Sequence, residues 1–153
     1  MLFRSQLASF QPKAALPNID PGFYARSNRA DEGGEWTYDE AWRPVPSFPV
    51  RAGWLHAIMA GHAAVARGLD VEAPILTLVS ARSLISPRWS EEMRSADIVL
   101  DVELIARRAV QLGPVVTVVR IAGGLHDLAL SAPPVRARFY AEIDRWLAGY
   151  GWG

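Results

Sequence analysis

The sequence predicts an α/β fold with parallel strands. Two short apolar, β-branched runs read as strands: APILTLVSA at 73–81 and PVVTVVRI at 114–121. Helix-like stretches precede, separate and follow them, at 50–67, at 101–113 and from Ser131 onward. The resulting order of helix, strand, helix, strand, helix is that of parallel strands joined by crossovers.

Each element has its own local grounds. Residues 11–49 hold many Pro and Gly residues, with Phe23, Tyr24, Trp36, Tyr38, Trp42 and Phe48 spaced at neither strand nor helix period. They read as a loop pinned to a core by its rings. The functional alternative is a lid over an apolar substrate. In 50–67, Trp54, Ile58, Met59, His62 and Val65 fall near one helix face, and Gly68 suits the C′ position. The first strand is apolar enough to be buried on both faces. Ser86 followed by Pro87 predicts a short helix start by capping rules. Asp101 is a natural N-cap for the next helix, with Glu103 in its first turn and Gly113 at its end. Its apolar stripe is Val102, Ile105, Ala106, Ala109 and Leu112. Ser131 and two prolines open a last helix whose shared face is Val135, Phe139, Ile143, Trp146 and Leu147.

Bulk properties exclude several function classes. The 153 residues suffice for one domain with a core, and half are hydrophobic. Lys plus Arg equals Asp plus Glu at 16 each, so no net charge draws the chain to nucleic acid. There is no Cys, hence no disulfide, thiol nucleophile or thiolate-bound metal. No apolar run has the length of a membrane span, and MLFRSQLASF lacks the marks of a signal peptide, which predicts a cytoplasmic protein.

The chemistry centres on IAGGLHDLAL at 121–130. Its His126 lies just past a predicted strand end, behind Gly123 and Gly124. Sites of open α/β sheets lie beyond the carboxyl ends of strands. An imidazole base works best with a buried carboxylate that fixes its tautomer. Asp97 and Asp101 lie in the preceding connection. Asp101 has a capping role, so Asp97 is the preferred orienting acid and Asp101 the second choice. Asp127, adjacent to His126, is expected to fix the loop or an Arg. His56 and His62 stand six apart, which does not make a helical metal pair, so no metal is expected. His62 reads as a packing residue and His56 as solvent-facing. No serine sits in a G-x-S-x-G elbow, though Ser80 ends a strand without flanking glycines. No phosphate loop or dinucleotide fingerprint is present, so no cofactor is expected.

Taken together, APILTLVSA, SADIVLDV and VVTVVRIAGGLHDLALS with the closing helix resemble the C-terminal half of an α/β-hydrolase. More narrowly, they resemble the serine aminopeptidase S33 and monoglyceride-lipase-like group, over about residues 15–148. The resemblance implies a partial α/β-hydrolase fold: the last parallel strands with flanking helices, plus part of a cap region. Residues 1–49 would be the cap-derived aromatic segment, and 50–153 the C-terminal part of the core. Asp97 would be the acid and His126 the base of a Ser-His-Asp relay that cleaves a small ester or amide with an apolar acyl group. The family's nucleophile and oxyanion-hole loop belong to an N-terminal half absent from these residues. A core of so few strands is expected to self-associate through an exposed sheet edge or to need a partner. The alternatives are a catalytically inactive remnant that serves as an interaction protein, and a small hydrolase with an unorthodox site built on Ser80 or another serine.

Overall fold

The computed structural model describes residues 11–17 and 21–152. The expectation about a leader concerns residues 1–10 and lies outside the described residues. The elements are α1 (Phe23–Asn28), α2 (Ala52–Ala66), β1 (Ile75–Ser80), α3 (Val102–Ala109), β2 (Val116–Ile121) and α4 (Pro133–Gly149). Three short 3-10 turns lie at Ala30–Glu32, Glu91–Ser95 and Leu128–Leu130. This is mixed α/β, and the sheet is small.

β1 and β2 pair in parallel, in register from Ile75 opposite Val116 to Ser80 opposite Ile121. Side chains alternate across a strand, so Thr117 and Arg120 point to opposite faces. Thr117 receives the Trp146 Nε1–H at 3.2 Å, which marks the α4 face. Arg120 makes a two-bond ion pair with Glu103 of α3, at 2.7 and 2.9 Å, on the other face. The sheet is therefore sandwiched between α3 and α4.

The core sits at the carboxyl end of the strands. Val79, Met93, Ala96, Val102, Ile121, Leu125 and Leu128 are buried there. The expectation that β1 is buried on both faces holds only at this end. Ile75 to Leu78 are half-buried, and Val79 and Ser80 are sealed. The reason is topological: β1 has β2 as its single strand neighbour among the described residues.

Helix α2 departs from expectation in its packing. Trp54, Ile58 and Met59, the predicted inner face, are exposed, and Val65 is half-buried. His62 is exposed as well, so it is not a core packing residue. The helix is apolar on nearly every side, so its sequence does not single out one buried stripe. Gly68 does take the C′ position, at φ 89°.

Three predicted helix boundaries shift for local reasons. No helix starts at Ser86. Its hydroxyl accepts the Arg88 N–H at 3.1 Å, a side-chain bond that competes with a helical turn. The 3-10 turn Glu91–Ser95 forms instead. α3 ends at Ala109, four residues before Gly113, because Gln111 and Leu112 donate to Arg108 and Ala109 three residues back. Ser131 does not cap α4. Ala132 is the N-cap, and the Ser131 hydroxyl accepts the Leu125 N–H at 2.9 Å. The Asp101 cap is as expected, with Glu103 N–H and Leu104 N–H donating to its carboxylate.

Gly113 is required by a close approach. A Cβ there would stand 2.2 Å from the Val71 carbonyl oxygen. Gly61, in α2, faces open space. Gly113→Ala is expected to lower stability by about 2–4 kcal/mol. Gly61→Ala should raise it by up to about 1 kcal/mol. Urea denaturation of both variants measures this, and equal midpoints would contradict the packing described.

Candidate functional site

Asp97 and His126 are positioned by the strand ends. β1 runs into the segment 81–84, and the chain then makes an excursion before returning at Asp97. Asp97 donates its N–H to the Arg82 carbonyl at 3.0 Å, and Leu84 donates to the Asp97 carbonyl at 2.8 Å. This short parallel bridge between Ser83 and Asp97 brings a residue far along the chain back to the end of β1. Met93 and Ala96, both fully buried, anchor the returning segment.

β2 delivers the histidine. After Ile121 the chain turns through Gly123, whose φ is 75°, and Gly124. The Gly124 N–H closes back on the Ile121 carbonyl at 3.1 Å. A side chain at Gly124 would meet Leu128 at 2.5 Å and Ile121 O at 3.1 Å, so the turn is also tight. Ser80 locks the two strand ends together, its hydroxyl 2.7 Å from the Gly124 carbonyl oxygen.

Across this junction His126 Nδ1 lies 3.0 Å from Asp97 Oδ2. The Asp97 side chain is 4% exposed and that of His126 29%. The second Asp97 oxygen accepts the N–H groups of Val99 and Leu100, both at 2.8 Å. The carboxylate is thus held from both sides. With Nδ1–H directed at Asp97, the Nε2 lone pair of a neutral imidazole is left for another group. Asp101 is occupied at the α3 N-terminus, so the structure brings Asp97 rather than Asp101 to His126.

The electrostatics follow from this geometry. His126 is shifted above its ordinary 6.5, chiefly by the hydrogen bond to Asp97. Burial opposes this, and the charges of Asp97 and Asp127 add to it. For Asp97, burial pushes upward. The bonds from His126, Leu100 and Val99 outweigh it and hold the carboxyl below 3.8.

Segment 21–47 closes over this pair. The Tyr24 ring meets the imidazole edge-on, centroids 5.9 Å apart. The Tyr24 hydroxyl donates to Asp127, and Arg43 lies 3.7 Å from the same carboxylate, so Asp127 fixes the loop as expected. Trp36 Nε1–H donates to the Leu130 carbonyl at 2.9 Å. Arg94, in the turn before Asp97, donates to the Arg26 carbonyl at 2.9 Å. The aromatic segment is pinned to both the acid loop and the base loop. Trp42 and Phe48 stay exposed and do not pin it.

The serines nearest the pair are committed elsewhere. Ser80 is buried on the Gly124 carbonyl, and Ser131 holds Leu125 N–H. Ser83 donates to the Leu100 carbonyl at 2.7 Å and accepts Val102 N–H at 2.9 Å. Among the described residues, no three His, Asp or Glu side chains gather to hold a metal ion. Nor is any helix there long and apolar enough to cross a membrane. No protein-family model, curated protein or solved structure matches the chain.

The acid–base pair has a pH signature. The His126 pKa is raised by folding, so its contribution is complete below 6.5 and is lost as pH rises through the raised value. The Asp97 pKa is lowered, so its contribution is complete above 3.8 and is lost as pH falls through the depressed value. The stability gap between the wild type and His126→Gln should therefore be widest between 3.8 and 6.5 and narrow on either side. Asp97→Ala should cost about 3 kcal/mol near neutral pH, because two backbone N–H groups lose their acceptor. Denaturation at a series of pH values tests both; a gap flat with pH would contradict the pairing.

Proposed function

We propose that the chain carries the acid and base of a Ser-His-Asp hydrolase relay of the α/β-hydrolase kind. The substrate is an ester or amide with an apolar acyl group, and the nucleophile comes from chain outside the described residues. One observation carries the reading: a buried carboxylate, held by two backbone N–H groups, meets His126 Nδ1 at 3.0 Å at the carboxyl end of two parallel strands. That leaves Nε2 to take the proton of a serine hydroxyl as it attacks the acyl carbon. The imidazolium, stabilised by Asp97, then returns the proton to the departing alcohol or amine. The Tyr24 ring set edge-on against the imidazole suits an apolar acyl group. Without the nucleophile and oxyanion donors, the pair can orient a water molecule but lacks most of the acceleration.

The experiment is to express this chain together with whatever open frame lies upstream of Met1. The reading expects a G-x-S-x-G serine there that reacts with a fluorophosphonate. It also expects hydrolysis of a p-nitrophenyl ester that falls about 10³–10⁴-fold in His126→Gln and in Asp97→Asn. No such serine, and residual hydrolysis that His126→Gln leaves unchanged, would overturn it.

A second reading is a non-catalytic interaction protein. The edge of β1 that has no strand neighbour among the described residues and the exposed apolar side chains of α2 favour it. It expects a sedimentation mass well above the 16.8 kDa of one chain, dependent on concentration and indifferent to His126→Gln. A compact monomer at all concentrations would contradict it.

A further inference from the structure

Two carboxylates flank the imidazole, and the relay uses only Asp97. The other, Asp127, is half-exposed on the base loop itself. Its Oδ2 accepts the Tyr24 hydroxyl and lies 3.7 Å from Arg43 Nη2. The Arg43 guanidinium is stacked against two rings, 4.9 Å from the Tyr24 centroid and 4.3 Å from that of Tyr38. Tyr38 in turn donates to the buried Asn28 at 2.8 Å, and Asn28 donates to the Tyr24 carbonyl at 3.0 Å. These contacts form a built cluster with one face toward His126. The charged and titratable groups that face the imidazole are Asp97 from the loop before α3, Asp127 from its own loop and Tyr24 from α1; Arg43 reaches Asp127 and the Tyr24 ring.

A second free anion beside a general base raises its pKa and holds more of it protonated near neutral pH. We propose that Arg43 is a positioning residue of this site. Acting through Asp127, it neutralises the second carboxylate and, with the Tyr24 hydroxyl, seats the Tyr24 ring as a wall of the site, so that His126 answers to Asp97. The direction of the electrostatics agrees. The Asp127 charge is one of the influences that raise His126. Tyr24 is pushed far above its usual value, first by burial and then by its bond to Asp127, so it stays a donor through the working range. This inference rests on the reading of His126 as a base, but its test needs no turnover.

The test is an NMR titration of the imidazoles in the whole chain at low ionic strength, where a half-exposed pair is least screened. His56 and His62, exposed on α2, are internal controls that these substitutions do not touch. Arg43→Gln should raise the His126 midpoint by about 0.5, and Asp127→Asn should lower it by a similar amount. The double variant should lie well below Arg43→Gln alone, because the carboxylate that Arg43 offsets is gone. Arg43→Lys keeps the charge and should shift the midpoint less than Arg43→Gln. Tyr24→Ala should remove the ring-current displacement of the His126 imidazole protons.

An Arg43→Gln protein with an unchanged melting curve and an unmoved midpoint overturns the inference. So does a double variant raised as far as Arg43→Gln alone. If Arg43→Gln does not fold, Tyr24→Phe takes its place, since loss of the hydroxyl donor should also raise the midpoint; no rise there overturns the inference too. Asp97→Asn separates the two claims. If it lowers the midpoint while Arg43→Gln does nothing, this inference falls and the relay stands. If it leaves the midpoint alone, the relay itself falls.

Discussion

The site depends on one constraint, the fixing of the Asp97 carboxylate. A carboxylate this buried persists as an anion only if its oxygens are satisfied. One oxygen takes the N–H groups of Val99 and Leu100, and the other takes His126 Nδ1. The first pair of bonds closes the acid loop on itself. The third ties that loop to the loop after β2. Burial of Met93, Ala96, Leu125 and Leu128 around the junction then holds both loops in register with the sheet. Ser80, set between the strand end and Gly124, completes the join.

Packing quality varies across the molecule. At the carboxyl end of the strands, apolar side chains are sealed and nearby serines have defined partners. At the outer edge of β1 and along α2, apolar groups face outward. A groove of about 420 Å³ lies between α2, α3 and Thr77, walled by Val65, Leu104, Ile105 and Leu112. The end that holds Asp97 and His126 is thus the better packed one, and the side away from it leaves apolar surface exposed. Arg94 and Tyr24 extend this end outward, because they bind the aromatic segment to the Asp97 and His126 loops.

Much of this was legible in the sequence, because it rests on local signals. β-branched runs gave both strands within two residues. The Asp101 cap and the α4 face of Val135, Phe139, Ile143, Trp146 and Leu147 followed from capping and periodicity. Asp97 was preferred over Asp101 by elimination, since a residue committed to a helix end is not free to orient an imidazole. What was not legible is long-range. No pattern announces that Asp97 binds Val99 and Leu100, that Ser131 serves Leu125 rather than α4, or that Ser86 bonds back to its own loop. The exposure of α2 was hidden for a related reason. An apolar helix advertises burial, and whether a neighbour exists to bury it is a property of the whole fold. Tyr24 was legible only as one ring of a pinned loop and Arg43 gave no signal of its own, since their contact with Asp127 spans most of the chain.

The most direct measurement of the central claim is the tautomer of His126, read from the nitrogen-15 shifts of its imidazole above its midpoint. Asp97 accepting from Nδ1 requires the neutral ring to carry its proton on Nδ1 and leave Nε2 bare. The wild type should show that pattern and Asp97→Asn should lose it. A neutral ring protonated on Nε2, or a tautomer that Asp97→Asn leaves unchanged, would contradict it.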